Sequence, residues 1–236
     1  MLLLEQLKMP QGLQVRFQTI VEIARGRMLP HGVECLVRGP QGSTVETAPI
    51  LFDYVRNKHA EAVVDRLCVM RGLRALAAAK PTGWEEVNVH LNVHCVTLAR
   101  DADFVAFLLE TARACGLVPT ALTVELLEYR EFSGSRELRR AVDELHAEGV
   151  RIALDDIGHA DSNLRMLLDS QADYFKIDGY FVRGVSRDIY RQALVRSLVE
   201  LAPRFGAWVV AEGLEDPDDL ATVSALGVGF AQGFLV

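Results

Sequence analysis

The chain has 236 residues, half of them hydrophobic and 24% charged, with 18 Gly and 8 Pro. At roughly 150 residues per domain that is room for a single α/β barrel, and the composition excludes a disordered, collagen-like or disulfide-framework chain. The 25 basic and 32 acidic side chains leave a net charge of -7, which argues against nucleic acid as a partner.

Cys35, Cys68, Cys95 and Cys115 are scattered without a C-x-x-C pair, so they read as reduced thiols of a cytoplasmic protein rather than zinc ligands. The opening MLLLEQLKMP is interrupted by Glu5, and no run approaches the ~18 apolar residues of a membrane span, so neither a leader nor membrane contact is expected.

Two β-branched runs come first, Val15 to Ile23 and Val33 to Arg38, and the Gly/Pro-containing turn between them predicts an antiparallel hairpin. A long helical stretch follows, Thr47 to Ala79, with Val63, Leu67, Met70 and Leu73 expected on its buried face. Six further strands are expected at Glu86 to Val93, Leu122 to Glu128, Arg151 to Ile157, Tyr174 to Asp178, Ala207 to Glu215 and Gly229 to Val236. Helical patterns fill the gaps, among them Phe104 to Cys115, Arg136 to Glu148 and Arg191 to Arg204. Eight strands in this rhythm predict an α/β fold, a TIM-like (β/α)8 barrel whose first strand is antiparallel, as a single domain over residues 1–236. The rival open sheet would carry a Gly-rich phosphate loop after its first strand, and none is present.

Barrel chemistry sits at the C-terminal ends of strands, and polar residues gather there: Glu34 and Arg38, Asn92, Glu125 and Glu128, Asp155 and Asp156, Lys176 and Asp178, Glu212 and Glu215, and Gln232. Two carboxylates at ~4 Å repel by about 4 kcal/mol at an effective dielectric of ~20, so several in one barrel mouth require protons or cations. An all-oxygen set with an Asn carbonyl suits Mg²⁺ or Mn²⁺. Adjacent Asp155 and Asp156 can face different ways and serve different ions, the pattern of a two-metal phosphoryl-transfer site. His90 and His94 flank Asn92 at period two and read as core or rim residues, because a strand spreads such side chains apart. His159 reads as a loop residue.

In this order, the motifs resemble those of the EAL-domain family of bacterial cyclic di-GMP phosphodiesterases. Glu34-Cys35-Leu36-Val37-Arg38 is similar to the family's Glu-Ala-Leu-x-Arg, Asn92-Val93-His94 to its Asn-x-Ser, and Glu125-Leu126-Leu127-Glu128 to its Glu-x-x-Glu. Asp155-Asp156-Ile157-Gly158 resembles Asp-Asp-Phe-Gly, Lys176-Ile177-Asp178 is Lys-Ile-Asp, Glu212-Gly213-Leu214-Glu215 resembles Glu-Gly-Val-Glu, and Gln232-Gly233 is the final Gln-Gly. The resemblance implies hydrolysis of cyclic di-GMP to linear pGpG with two Mg²⁺ or Mn²⁺ ions per site. Glu34, Asn92, Glu125 and Asp155 would hold one ion and Asp156 the other, with Asp155 shared. Lys176 would orient the attacking water and Glu212 would serve as general base or second-ion ligand. Arg38, Asp178 and Gln232 would bind substrate, with Glu128 and Glu215 in support.

The loop from Gly158 to Leu164 departs from the family's Gly-Thr-Gly-Tyr-Ser-Ser-Leu, which in the family contributes to the second metal and to a homodimer contact. Weaker binding of the second ion and low turnover are therefore expected. The alternative reading is a catalytically inactive receptor for cyclic di-GMP or a protein-interaction module. Family chains usually continue to a Pro just past Gln232-Gly233, so a trimmed C-terminus is expected, and the resemblance also admits sensory or GGDEF domains as partners in a longer parent chain.

Overall fold

The computed structural model describes residues 3–9, 12–23, 28–79, 87–127, 132, 134–157, 167–168 and 170–236. Eight strands close a barrel in sequence order: β1 (Gln14–Glu22), β2 (Leu29–Arg38), β3 (Asn88–His94), β4 (Leu122–Leu127), β5 (Arg151–Ile157), β6 (Tyr174–Ile177), β7 (Trp208–Ala211) and β8 (Phe230–Gln232). The β1–β2 hairpin inverts β1, which therefore runs antiparallel to β2 and β8, while every other neighbouring pair is parallel. This is the expected barrel.

Helices α1 (Leu3–Lys8), α2 (Ala48–Asn57), α3 (Glu61–Ala79), α4 (Cys95–Arg100), α5 (Phe104–Ala114) and α6 (Arg136–Ala147) precede the second half of the barrel. There α7 (Gly179–Val182), α8 (Ile189–Leu201) and α9 (Pro217–Ala225) are described. The strand period of two sorts side chains between two layers. Val89, Leu91 and Val93 of β3 join Val69, Leu73 and Leu76 of α3 in the main apolar layer. Ile20, Ala153, Tyr174, Val210 and Phe230 form a separate cluster.

The expected single helix over 47–79 is two helices. The chain turns between them at His59, whose φ of 50° is left-handed. The buried stripe of α3 also runs through Val64, Cys68, Val69, Leu73 and Leu76, not through Val63, which is half exposed. The stripe is set by β2, because Cys35 Sγ occupies the space over Gly72 that a Cβ would fill. Three strands end earlier than expected: Asp178 caps α7 after β6, Glu212 and Glu215 follow β7, and β8 stops at Gln232.

Candidate active site

The polar side chains meet at the C-terminal mouth because the ladder registers level them. Asn92 pairs with Glu125 across β3 and β4, and Gln18 pairs with Glu34 across β1 and β2. At their centre lies Lys176, whose side chain is 1% exposed. Its Nζ is 2.7 Å from Glu125 Oε2, 2.7 Å from Glu212 Oε1, 3.2 Å from Glu34 Oε2 and 3.4 Å from Asp155 Oδ1. A buried ammonium is tolerable only when paired. Burial alone would lower its pKa, but these four carboxylates prevail and hold it well above the usual lysine value.

Glu34 accepts hydrogen bonds from two side-chain amides. Asn92 Nδ2 donates to its Oε1 at 2.7 Å, and Gln232 Nε2 donates to its Oε2 at 2.7 Å. Burial raises its pKa, but the Lys176 charge and the hydrogen bonds from Gln232, Asn92 and Lys176 outweigh that and bring it down to about 2. Glu125 has the opposite balance: complete burial and the nearby Glu34 push it well above the ordinary carboxylate value.

Asp155 and Asp156 sit in a bulge. The β5–β6 register shifts between Leu154 and Ile157, and Asp156 takes φ 52°, uncommon for a residue with a Cβ. The consequence differs from the alternation expected for adjacent strand residues. Both carboxylates turn toward Glu212, and one oxygen from each of the three lies within 4.8 Å of the others. Burial, Asp155 and a hydrogen bond with Asp178 raise Asp156 to about 7, while burial and Asp155 raise Glu212 to about 8. Crowded carboxyls that retain protons near neutrality form a donor set that fits a hard divalent cation.

Asn92 approaches the centre through its amide nitrogen. Gln232 Nε2 also donates to Gln18 Oε1 at 3.0 Å, and its Oε1 has no partner among the described residues. Arg38 Nη1 donates to the Val37 carbonyl at 2.9 Å and lines an apolar cavity of about 270 Å³ with Phe52, Leu91 and Leu127. A second, more polar cavity of about 300 Å³ is lined by Lys176, Arg183, Glu212, Glu215, Gln232 and Phe234. Glu34, Leu36 and Asp155 border both. Asp178 meets the site through Asp156 and accepts from Tyr180 N at 2.6 Å. Glu215 is also at the rim, 3.5 Å from Arg183 Nη1. Glu128, His159 and the loop 158–164 lie outside the described residues.

Sequence reasoning passed over Arg183, Gln18 and the part played by His90. His94 turns away to α3, where its Nδ1 and backbone N–H meet Asp65 at 2.8 and 3.0 Å, whereas His90 Nδ1 is 2.7 Å from Glu125 Oε1. The period of two that places His90 on the Asn92 face was the available signal.

A family model described as EAL domain matches residues 4–236. The chain is 36% identical over 118 residues to the probable cyclic di-GMP phosphodiesterase PdeA of Escherichia coli, covering 50% of this chain and 16% of that protein. It is 29% identical over 147 residues to the blue light- and temperature-regulated antirepressor BluF of the same species, covering 62% of this chain and 36% of that one. A solved structure of a manganese and cyclic di-GMP complex of BlrP1 from Klebsiella pneumoniae superposes with a TM-score of 0.81 at 29% identity, over 96% of this chain and 55% of that one. The chain therefore spans less than two thirds of each of these relatives.

Proposed function

Because the chain belongs to the EAL domain family, we propose that it hydrolyses cyclic di-GMP to linear pGpG. The observation that carries this reading is Lys176, held among Glu34, Glu125, Asp155 and Glu212 at the barrel mouth, with Asp156 beside Asp155. Glu34, Asn92, Glu125 and Asp155 would hold one divalent ion, and Asp155, Asp156 and Glu212 a second, Mg²⁺ or Mn²⁺ in each case. Such ions polarise phosphoryl oxygens and acidify a water.

The protein groups divide the remaining work. Lys176 donates toward the attacking water and fixes its direction, and Glu212, in its ionised form, takes the water's proton on a carboxylate oxygen. The water oxygen bonds to phosphorus, the ester bond to O3′ breaks, and the departing O3′ takes a proton from solvent. The cavities on either side of Glu34 and Asp155 provide room for the two guanosine halves, with Arg38 at one and Arg183 at the other as donors to anionic or guanine oxygens. Gln232 braces Glu34, Glu215 holds Arg183, and Asp178 acts on the site through Asp156.

The reading includes a homodimer, a cytoplasmic location and further domains in a longer parent chain. The match to BluF, named as an antirepressor, favours a second reading in which the domain acts without catalysis, as a cyclic di-GMP receptor or a protein-interaction module. Chromatography of cyclic di-GMP incubated with a high concentration of the protein and Mn²⁺ separates the two. Linear product that disappears with chelator is expected, whereas ligand binding without product would replace the enzyme by the receptor.

A further inference from the structure

Inside the barrel, beside the Lys176 cluster, lies a buried polar chain that the proposed chemistry does not use. His90 is fully buried, and its Nδ1 is 2.7 Å from Glu125 Oε1, while Glu125 Oε2 is 2.7 Å from Lys176 Nζ. The carboxylate is thus gripped from both sides. On the other edge of the imidazole, Nε2 is 3.3 Å from Asn88 Nδ2. Thr123 Oγ1 donates to Asn88 Oδ1 at 3.0 Å, which turns the amide nitrogen toward His90 and toward the Tyr174 hydroxyl at 3.4 Å. That hydroxyl is 3.0 Å from His31 Nε2.

Donors and acceptors in this chain run one way. The Thr123 hydroxyl gives its hydrogen to the Asn88 carbonyl oxygen, the Asn88 NH₂ serves His90 Nε2 and the Tyr174 oxygen, and the Tyr174 O–H serves His31. His90 Nε2 is then an acceptor, so its hydrogen is on Nδ1 and is donated to Glu125. The Tyr174 ring, 5.4 Å from the imidazole centroid, closes the remaining side.

We propose that His90 is a positioning residue for Glu125: its Nδ1–H, fixed from behind by Asn88, Thr123 and Tyr174, sets the carboxylate in the orientation that ligates a divalent ion. Each carboxylate oxygen has two lone pairs, so the hydrogen bonds from His90 and Lys176 leave one on each oxygen for a metal. The inference rests on the reading of Glu125 as a metal ligand. Partners of this kind behind a ligand contribute about 10–100-fold to metal affinity.

The test uses the full chain at one fixed pH and two near-isosteric substitutions. His90→Asn places an amide N–H close to the Nδ1 position, whereas His90→Gln places its amide near Nε2 and withdraws the donor from Glu125. Mn²⁺ dissociation constants come from the electron paramagnetic resonance signal of free Mn²⁺, with melting midpoints of both variants recorded alongside. His90→Asn is expected to bind Mn²⁺ within about threefold of the parent, and His90→Gln about 10–100-fold more weakly, at similar midpoints. With cyclic di-GMP, kcat at limiting Mn²⁺ should follow the same order while KM stays put, and saturating Mn²⁺ should restore His90→Gln. Equal Mn²⁺ affinities for the two variants would overturn the proposal. A parent chain that binds Mn²⁺ without turnover would count against the phosphodiesterase reading alone, since the dissociation constants still decide His90. A parent chain that binds no Mn²⁺ would remove both.

Discussion

Lys176 is surrounded by more negative charge than any other cation at the described mouth, so replacing it tests stability as well as chemistry. Without its ammonium, Glu34, Glu125, Asp155 and Glu212 crowd one point. Breaking a buried pair costs about 3–5 kcal/mol unless the orphaned acids take up protons. Lys176→Met is therefore expected to melt lower than the parent without metal, to regain much of the difference in Mn²⁺, and to lose turnover by ~10² or more. A variant whose melting point ignores Mn²⁺ would show that the acids do not share a cation site. Glu212→Gln should keep cyclic di-GMP binding and lose turnover by ~10² or more, and a parent-like rate would remove Glu212 from the role of base. Most of these residues were legible because an acid in an apolar run at a strand end demands a partner. The choice of partner was not legible: a lone histidine two positions before Asn92 looks like any core histidine until the β3–β4 register brings Glu125 to it.

The elements themselves followed from periodicity wherever one strand or helix decided its own packing, as in β5 and the β1–β2 hairpin. Periodicity failed where a neighbour decided. The stripe of α3 is displaced toward Cys68 because β2 presses Cys35 into the notch of Gly72, and the β5 bulge depends on a β6 partner that local sequence does not reveal. The notch gives a measurable coupling. A Cβ on Gly72 would meet Cys35 Sγ at 2.3 Å, so Gly72→Ala alone should destabilise by about 1–3 kcal/mol through overpacking. Cys35→Ala alone leaves a small void and should cost about 1 kcal/mol. Combined, the added methyl fills the space left by the thiol, and denaturant unfolding should show a favourable coupling of about 1–3 kcal/mol. Strict additivity would mean that the α3–β2 contact does not set the helix face.

The barrel gathers Glu34, Glu125, Asp155, Asp156, Lys176 and Glu212 at one end, so the stability of the molecule and its affinity for cations share a dependence on pH. Glu34, lowered to about 2 from 4.5, adds stability that is present above the higher value and is lost as pH falls through the lower. Asp156 and Glu212 work in the opposite sense. Raised to about 7 from 3.8 and to about 8 from 4.5, they keep protons in the folded chain that the unfolded chain has already released. Their contribution is complete below the unfolded values and is lost as pH rises through about 7 and about 8, so metal-free protein should weaken over that window. A divalent ion replaces the same protons, so its affinity rises over that window and protons are released on binding. At a fixed concentration of Mn²⁺ the stabilisation grows as RT ln(1 + [L]/Kd). Melting curves from about pH 5 to about pH 8 should therefore diverge, the metal-free midpoint falling while the shift produced by Mn²⁺ increases, and both trends should level off above that range. In the Asp156→Asn and Glu212→Gln double variant both groups are lost, and the divergence should collapse even though the barrel still folds, since Asn tolerates the left-handed backbone at position 156. A shift by Mn²⁺ of constant size across that range in the parent chain would place the cation away from Asp156 and Glu212.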